Sequence, residues 1–247
     1  MVYKGSKSKL SKDLAPIIQN FIDKDTIYIE PFVGGANMID KIKASIKLGV
    51  DIDKYVISVH KVAQQKEIEF IEPKKEIFYK CKYWTKENNG EYLFDNEKYW
   101  IGYYRVFCSF QGGGFNHGYG ISPKDSKSYG ERIRNINKQR QKELYKDIIF
   151  KADDYKNIVL EPNKKYVIYL DPPYQETVGY NKTKFNHQEL WEQCKKWKEQ
   201  NPNIIILLSE LKAPEMFREI WNKDFKQSFG INQKEPRKEK LFIYERE

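Results

Sequence analysis

Apolar residues in this chain gather in short runs separated by polar stretches, and Tyr166-Val167-Ile168-Tyr169-Leu170 is the clearest of them. A run of that length, with β-branched and aromatic side chains, predicts a strand buried on both faces. Ile27-Tyr28-Ile29, the residues from Ile204 to Leu208 and those from Leu241 to Tyr244 predict further strands. Two more, at Val50 and at Ile148-Ile149-Phe150, run into acids at their ends. Residues 187 to 200 instead space Leu190, Trp191, Cys194 and Trp197 as one face of a helix does. Strands interleaved with helical spacing imply an α/β fold with an open sheet.

The pattern changes between about Glu67 and Asp147, where Tyr, Trp, Phe, Lys and Arg are dense. Residues 1–66 and 148–247 are therefore expected to build one discontinuous sheet domain, with residues 67–147 inserted between its halves. Within the insert, the stretch from Lys124 to Lys146 carries eight Lys or Arg against three acids, and it is expected to be helical.

The run at 166–170 ends in Asp171-Pro172-Pro173-Tyr174. Two successive prolines cannot continue a hydrogen-bonded ladder, so the acid and the tyrosine are expected just past the strand end, at the edge where open α/β sheets bind ligands. Stiff prolines would hold a carboxylate, a freed proline carbonyl and an aromatic face around one small volume. Those groups suit the exocyclic amine of a nucleobase, a poor nucleophile because its lone pair is delocalised into the ring. Hydrogen bonds from the amine to Asp171 and to the Pro172 carbonyl favour a pyramidal nitrogen. Tyr174 offers a face for the base and for a cationic methyl donor. Asp171, Pro172, Pro173 and Tyr174 are thus the candidate catalytic residues. The plainer alternative is a Pro-rich turn whose Asp caps a helix.

This tetrapeptide resembles the signature of the nucleic-acid amino-methyltransferases that use S-adenosylmethionine, and other segments match in the same order. Ile27-Tyr28-Ile29-Glu30-Pro31-Phe32-Val33-Gly34-Gly35-Ala36-Asn37 reads as a strand feeding a Gly-containing turn and then a helix. It is similar to the cofactor segment of Dam-type DNA adenine methyltransferases, where glycine lets the backbone approach a ligand. Those enzymes usually have a second glycine where this chain has Ala36. Tyr3-Lys4-Gly5-Ser6-Lys7 is similar to their amino-terminal Tyr-Pro-Gly-Gly-Lys segment, whose lysine helps bind the cofactor carboxylate; Lys7 takes that position. Phe107-Cys108-Ser109-Phe110-Gln111-Gly112-Gly113-Gly114-Phe115 resembles a Ser-Phe-Gly-Gly segment of phage-type members. Thr177-Val178-Gly179-Tyr180, Phe185-Asn186-His187, Ser209-Glu210, Ala213-Pro214 and Phe217 also look like those members.

The resemblance implies a Rossmann-like methyltransferase sheet with an inserted target-recognition region, and N6-adenine methylation of DNA. It also implies cofactor contacts from Tyr3, Lys7, Glu30, Phe32, Gly34, Asp51, Asp154 and Asp171. Asp51 ends a strand about twenty residues past the Gly turn, where an acid accepts hydrogen bonds from ribose hydroxyls. The alternative is that Asp51 and Asp53 cap the helix beginning near Lys54. Asp154 corresponds to the family position whose acid and neighbouring aromatic hold the cofactor adenine; its alternative is a turn-forming Asp. His187 is expected to start a helix, and Ser209 or Glu210 to line the cleft. Lys124, Lys127, Arg132, Arg134, Lys138 and Arg140 are expected to lie against phosphates, with the target adenine flipped out over Tyr174. The alternative for this charge run is a solvated face.

A formal net charge of +9 and a pI near 9.1 agree with a polyanionic partner such as double-stranded DNA. Cys81, Cys108 and Cys194 show no paired spacing and the three histidines stand far apart, so neither a disulfide framework nor a metal site is expected. No apolar stretch approaches the roughly 18 residues that span a bilayer, and no signal-type apolar core precedes the first strand. A cytoplasmic protein, monomeric or weakly dimeric, is expected. Three alternatives stay open: an RNA adenine methyltransferase, a non-catalytic DNA-binding protein derived from a methyltransferase, and a nicotinamide-binding oxidoreductase lacking the full Gly-x-Gly-x-x-Gly.

Overall fold

Parallel strands that are apolar on both faces must be covered on both, and the chain folds accordingly. The computed structural model describes residues 1, 3, 5–87, 95–121, 126–174, 185–225 and 237–245. Among them are seven strands: β1 (Ile27–Glu30), β2 (Ile46–Asp51), β3 (Ile148–Ala152), β4 (Tyr166–Leu170), β5 (Ile204–Glu210), β6 (Phe217–Phe225) and β7 (Arg237–Tyr244). They form one sheet in the order β3-β2-β1-β4-β5-β7-β6. The first five are mutually parallel, while β7 runs antiparallel between β5 and β6. Strand order reverses where β1 and β4 pair, with Ile27 opposite Tyr166. Chain leaving these two neighbours departs in opposite directions, which opens a crevice at their carboxyl ends.

The helices are α1 (Ser11–Gln19), α2 (Lys54–Gln65), α3 (Lys75–Glu87), α4 (Asp95–Phe107), α5 (Ser126–Arg140), the single turn α6 (Glu143–Lys146) and α7 (His187–Gln200). Side chains alternate across the sheet. Val167 and Tyr169 of β4 join a core with Tyr28, Leu207, Leu241 and the helices α1 to α6. Tyr166, Ile168 and Leu170 join a second core with Leu190, Trp191, Cys194 and Trp197 of α7. Asn186 caps α7, its side chain accepting from the Glu189 amide at 3.2 Å, and His187 is the first helical residue.

Much of the aromatic density between 67 and 147 is spent on packing. Phe78, Tyr103, Phe107 and Tyr129 are fully buried and share the first core with Val56 and Val59 of α2. A methyl group at Gly102 would come within 2.5 Å of the Tyr55 carbonyl oxygen, so glycine lets α4 lie directly on α2.

One expectation fails. The helix anticipated after the Gly34 turn is absent; only a 3-10 turn, Ile39–Lys41, stands between β1 and β2. Gly34 (φ +45°) and Ala36 (φ +53°) both adopt left-handed backbone, which interrupts any right-handed helix at its start.

Candidate active site

Asp171 leaves the end of β4 with 21% of its side chain exposed, and Pro172 behind it is buried. The prolines carry no amide hydrogen, so β4 stops pairing here and the chain turns out over the crevice. The amino-terminal segment crosses the same edge. Its 3-10 turn, Lys7–Lys9, is capped by Ser6, whose hydroxyl accepts from the Ser8 amide at 3.2 Å and from Asn37 Nδ2 at 2.7 Å. That turn directs Lys7 into the crevice. Its Nζ donates to Asp171 Oδ1 at 2.7 Å and to the Tyr174 hydroxyl, and lies 4.4 Å from the Tyr174 ring centroid. The Tyr174 hydroxyl donates in turn to Glu239 Oε2 at 2.6 Å, and that oxygen lies 3.9 Å from Lys7 Nζ.

Charge and burial compete within this cluster. Burial alone would pull the Lys7 ammonium down, but Asp171, with Tyr169 and Glu239 behind it, holds it above the ordinary lysine value. Burial pushes the Asp171 carboxyl up; Lys7 opposes this, while Glu239 and Glu210 add to it, and the net direction is upward. Burial and the charges of Asp171 and Glu239 raise the Tyr174 phenol well above the ordinary range, so it stays a donor.

A second cluster forms where β1 and β2 end. Asp51 is buried, and its Oδ2 accepts from the Gly34 amide at 2.9 Å while its Oδ1 accepts from the Asp53 amide at 2.9 Å. Burial, then the neighbouring Asp53 charge, pushes Asp51 up to about 7, against the pull of those two amides and Arg105. Asp53 caps α2, accepting from the Tyr55 and Val56 amides, and pairs with Arg105. The Tyr3 ring lies over the Gly turn, since a methyl group on Gly34 would stand 2.9 Å from it. Glu30 is buried and accepts from the Tyr28 hydroxyl at 2.8 Å; burial raises its carboxyl well above the usual range despite that bond. The Phe32 ring sits 5.3 Å from Tyr155 and 5.6 Å from Phe185. Asp154, just past β3, accepts from the Lys156 amide at 2.9 Å and thereby shapes the turn that carries Tyr155.

Three supporting residues were not singled out from the sequence. His60 of α2 is buried and stacks on Phe150 at 4.5 Å; its Nε2 donates to the Gly34 carbonyl at 2.8 Å and its Nδ1 accepts from the Tyr145 hydroxyl at 2.8 Å. Burial pushes its pKa down to about 3, so the ring is neutral. Gln139 of α5 donates to the Ala36 carbonyl at 2.7 Å, gripping the left-handed turn from the other side. Glu239 is the third, and its sequence signal was an acid on the same face of β7 as the fully buried Leu241.

The basic residues of α5 divide by face. Lys127, Arg134 and Lys138 are exposed. Arg132, expected against phosphate, is instead buried, with its guanidinium donating to the Phe107 and Ser109 carbonyls at 2.7 and 2.8 Å. Arg140 is half-buried and donates to the Ala63 carbonyl at 2.7 Å. Helical periodicity turns these two arginines toward α2 and α4. Lys124 and residues 177–180 lie outside the described residues. Glu210 ends β5, buried, 3.3 Å from His187 Nε2.

The second cluster fits a nucleoside. A carboxylate offers about four lone-pair sites, and backbone amides take one on each Asp51 oxygen, which leaves acceptors for ribose hydroxyls. Phe32, Tyr155 and Phe185 supply apolar faces for a purine. Among the described residues, no group of three or more His, Cys, Asp or Glu side chains is arranged to hold a metal, and no helix is long and apolar enough to cross a membrane.

A family model described as D12 class N6 adenine-specific DNA methyltransferase matches residues 3–239. No protein of curated function matches the chain. Similar solved structures include an rRNA methylase from Streptococcus thermophilus, 8% identical, with TM-score 0.36 over 97% of each chain. The rRNA methyltransferase aviRa from Streptomyces viridochromogenes is 8% identical, with TM-score 0.40 over 96% of this chain and 84% of its own. SMU.472, a putative methyltransferase complexed with SAH, is 8% identical, with TM-score 0.40 over 97% of this chain and 52% of its own.

Proposed function

The chain belongs to the D12 class of N6 adenine-specific DNA methyltransferases, enzymes that depend on S-adenosylmethionine, and from that membership we propose that it methylates adenine in double-stranded DNA. The sheet is the Rossmann-like methyltransferase sheet that the resemblance implied. The observation that carries the reading is the meeting of Asp171 and Tyr174 at the carboxyl end of β4, where Lys7 donates to the carboxylate and to the hydroxyl at the tip of the ring.

In this reading the amine donates to Asp171 and to the Pro172 carbonyl, which draws its lone pair out of conjugation, while Tyr174 holds the ring of the base. Lys7 favours the ionised form of Asp171 against the upward push of burial. When the nitrogen gives up its proton, the Asp171 carboxylate is the acceptor beside it. S-adenosylmethionine supplies an electrophilic methyl group when bound. Asp51 would hold its ribose, Phe32 with Tyr155 and Asp154 its adenine, and the Gly34 turn with Tyr3 and Glu30 the wall beside them. An ammonium has three donors; Asp171 and Tyr174 take two from Lys7, leaving one for the cofactor carboxylate. Lys127, Arg134 and Lys138 would meet DNA phosphates, and extruding the target base would cost a few kcal/mol that binding must offset.

The test is to incubate the protein with isotopically labelled S-adenosylmethionine and unmethylated double-stranded DNA or RNA of mixed sequence, beside an Asp171→Ala control. Labelled N6-methyladenine in DNA, lost in the control while cofactor binding persists, is the expected result. Label in RNA alone would move the substrate, and no label at all would overturn the assignment.

A further inference from the structure

We infer that Glu239 is a positioning residue for methyl transfer, acting through the hydroxyl of Tyr174. The inference rests on the methyl-transfer reading above and names a part of the machinery that the tetrapeptide does not contain.

Glu239 is anomalous where it stands. Along β7 it shares a face with Leu241, which is fully buried in the first core, and Glu239 itself is 6% exposed. An apolar residue would continue that face, whereas an unpaired buried carboxylate is strongly destabilising. The topology explains why the acid can be used there. β7 runs against β5, with Lys240 opposite Glu210, so the beginning of β7 lies at the carboxyl edge of the parallel strands. Glu239 therefore reaches the crevice from a strand whose end points away from it.

The hydrogen bonds of the cluster have one direction. Lys7 can only donate, so the Tyr174 oxygen accepts from it, and the single hydroxyl hydrogen of Tyr174 goes to Glu239. Tyr174 follows two prolines at one end and at its tip is held by Lys7 and Glu239. Those attachments, with Glu239 the one that takes the hydroxyl hydrogen, fix the plane of the ring on which the base must stack. Misplacement by about 1 Å can cost roughly a hundredfold in rate, so the effect of Glu239 should appear in kcat rather than in cofactor affinity.

The experiment compares wild type, Glu239→Gln, Glu239→Ala, Tyr174→Phe and the double variant Tyr174→Phe/Glu239→Ala in steady-state methylation of DNA. Alongside it, the Cζ resonance of Tyr174 in protein labelled with 13C-tyrosine, assigned by its loss in Tyr174→Phe, reports the hydrogen bond without turnover. Glu239→Ala and Tyr174→Phe are each expected to lower kcat by roughly 10- to 100-fold, with the double variant no worse than Tyr174→Phe, which already removes the bond that Glu239 accepts along with the one from Lys7. Glu239→Gln should stay near wild type, since its amide oxygen accepts the same hydrogen, and only Glu239→Ala should shift the Cζ resonance strongly. Multiplying losses in the double variant, or a Glu239→Gln as impaired as Glu239→Ala, would overturn the proposal. So would an unchanged kcat in Tyr174→Phe, a result that does not depend on Glu239→Ala folding. A wild type with no turnover but a Glu239-sensitive Cζ signal would reject the methylation reading and leave the contact standing; turnover with an insensitive signal would do the reverse.

Discussion

Lys7 and Asp171, 164 residues apart in sequence, meet at 2.7 Å on the carboxyl edge of the sheet. Lys7 is the countercharge that opposes burial, Glu239 and Glu210 at the Asp171 carboxyl. Lys7→Ala removes it, so the folded pKa of Asp171 should rise further and its ionised form should persist only at higher pH. The acidic limb of the kcat/KM profile is expected to move toward neutrality in this variant, with activity lost more steeply at about pH 6 than at about pH 8. A limb that does not move would remove Lys7 from the control of Asp171.

Asp51 predicts a pH dependence of another kind. With its pKa pushed up to about 7, it changes charge near neutrality, and protonation removes an acceptor that the ribose hydroxyls would use. Affinity for S-adenosylmethionine should weaken as pH falls from about 8 to about 6, and Asp51→Asn should bind weakly with a flatter profile. Stability of the unliganded protein runs the opposite way. The folded state holds this proton more tightly than the unfolded chain, so the Asp51 contribution to stability grows as pH falls from about 7 to about 4. Isothermal titration of the cofactor across that range reads the first effect, and urea melts read the second.

His60 has the reverse sign. Its folded pKa of about 3 lies below the unfolded value, so the stability gained by keeping the ring neutral is complete above about pH 6.5 and is lost as pH falls toward 3. His60→Gln retains a donor for the Gly34 carbonyl without the titration. Its urea midpoint should therefore fall less between pH 7.5 and pH 5 than that of the wild type, and equal slopes would show that another group sets the acid limit.

The two faces of α5 predict separable losses. Arg134→Ala and Lys138→Ala remove exposed charges and should weaken DNA binding and flatten its salt dependence, with little change in melting temperature. Arg132→Ala leaves two buried carbonyls without their donor and should cost about 2 to 3 kcal/mol of stability. If Arg132→Ala melts as the wild type does and loses only DNA affinity, the inward placement of its guanidinium has no energetic weight.

The sequence made β4 legible to the residue, because a doubly buried strand is apolar throughout and two prolines mark its end. α7 was legible for its 3.6-residue spacing, and Asp53 as a helix cap for its place before Lys54. β6 was not, since an edge strand carrying Arg218, Glu219, Lys223 and Asp224 shows no buried pattern. The missing helix after Gly34 depends on backbone sign at Gly34 and Ala36, which composition does not encode. Glu239 and Gln139 escaped for a different reason: each acquires its role from a partner more than a hundred residues distant or on another element, and local pattern cannot name that partner. Arg132 and Arg134 sit in one charge run, and only the helix phase separates them.

β1 takes Ile46 of β2 as neighbour to Ile27 on one side and Tyr166 of β4 on the other. The first pairing is local, while the second must close a loop of roughly 140 residues before it returns any stabilisation. The central seam of the sheet thus joins parts of the chain far apart in sequence, and the crevice cannot exist without it. Glu239 comes with β7, a strand held between β5 and β6. A fragment ending before Arg237 would retain Asp171-Pro172-Pro173-Tyr174 and yet lose Glu239, the acceptor of the Tyr174 hydroxyl hydrogen, so competence requires that distant parts of the chain have met.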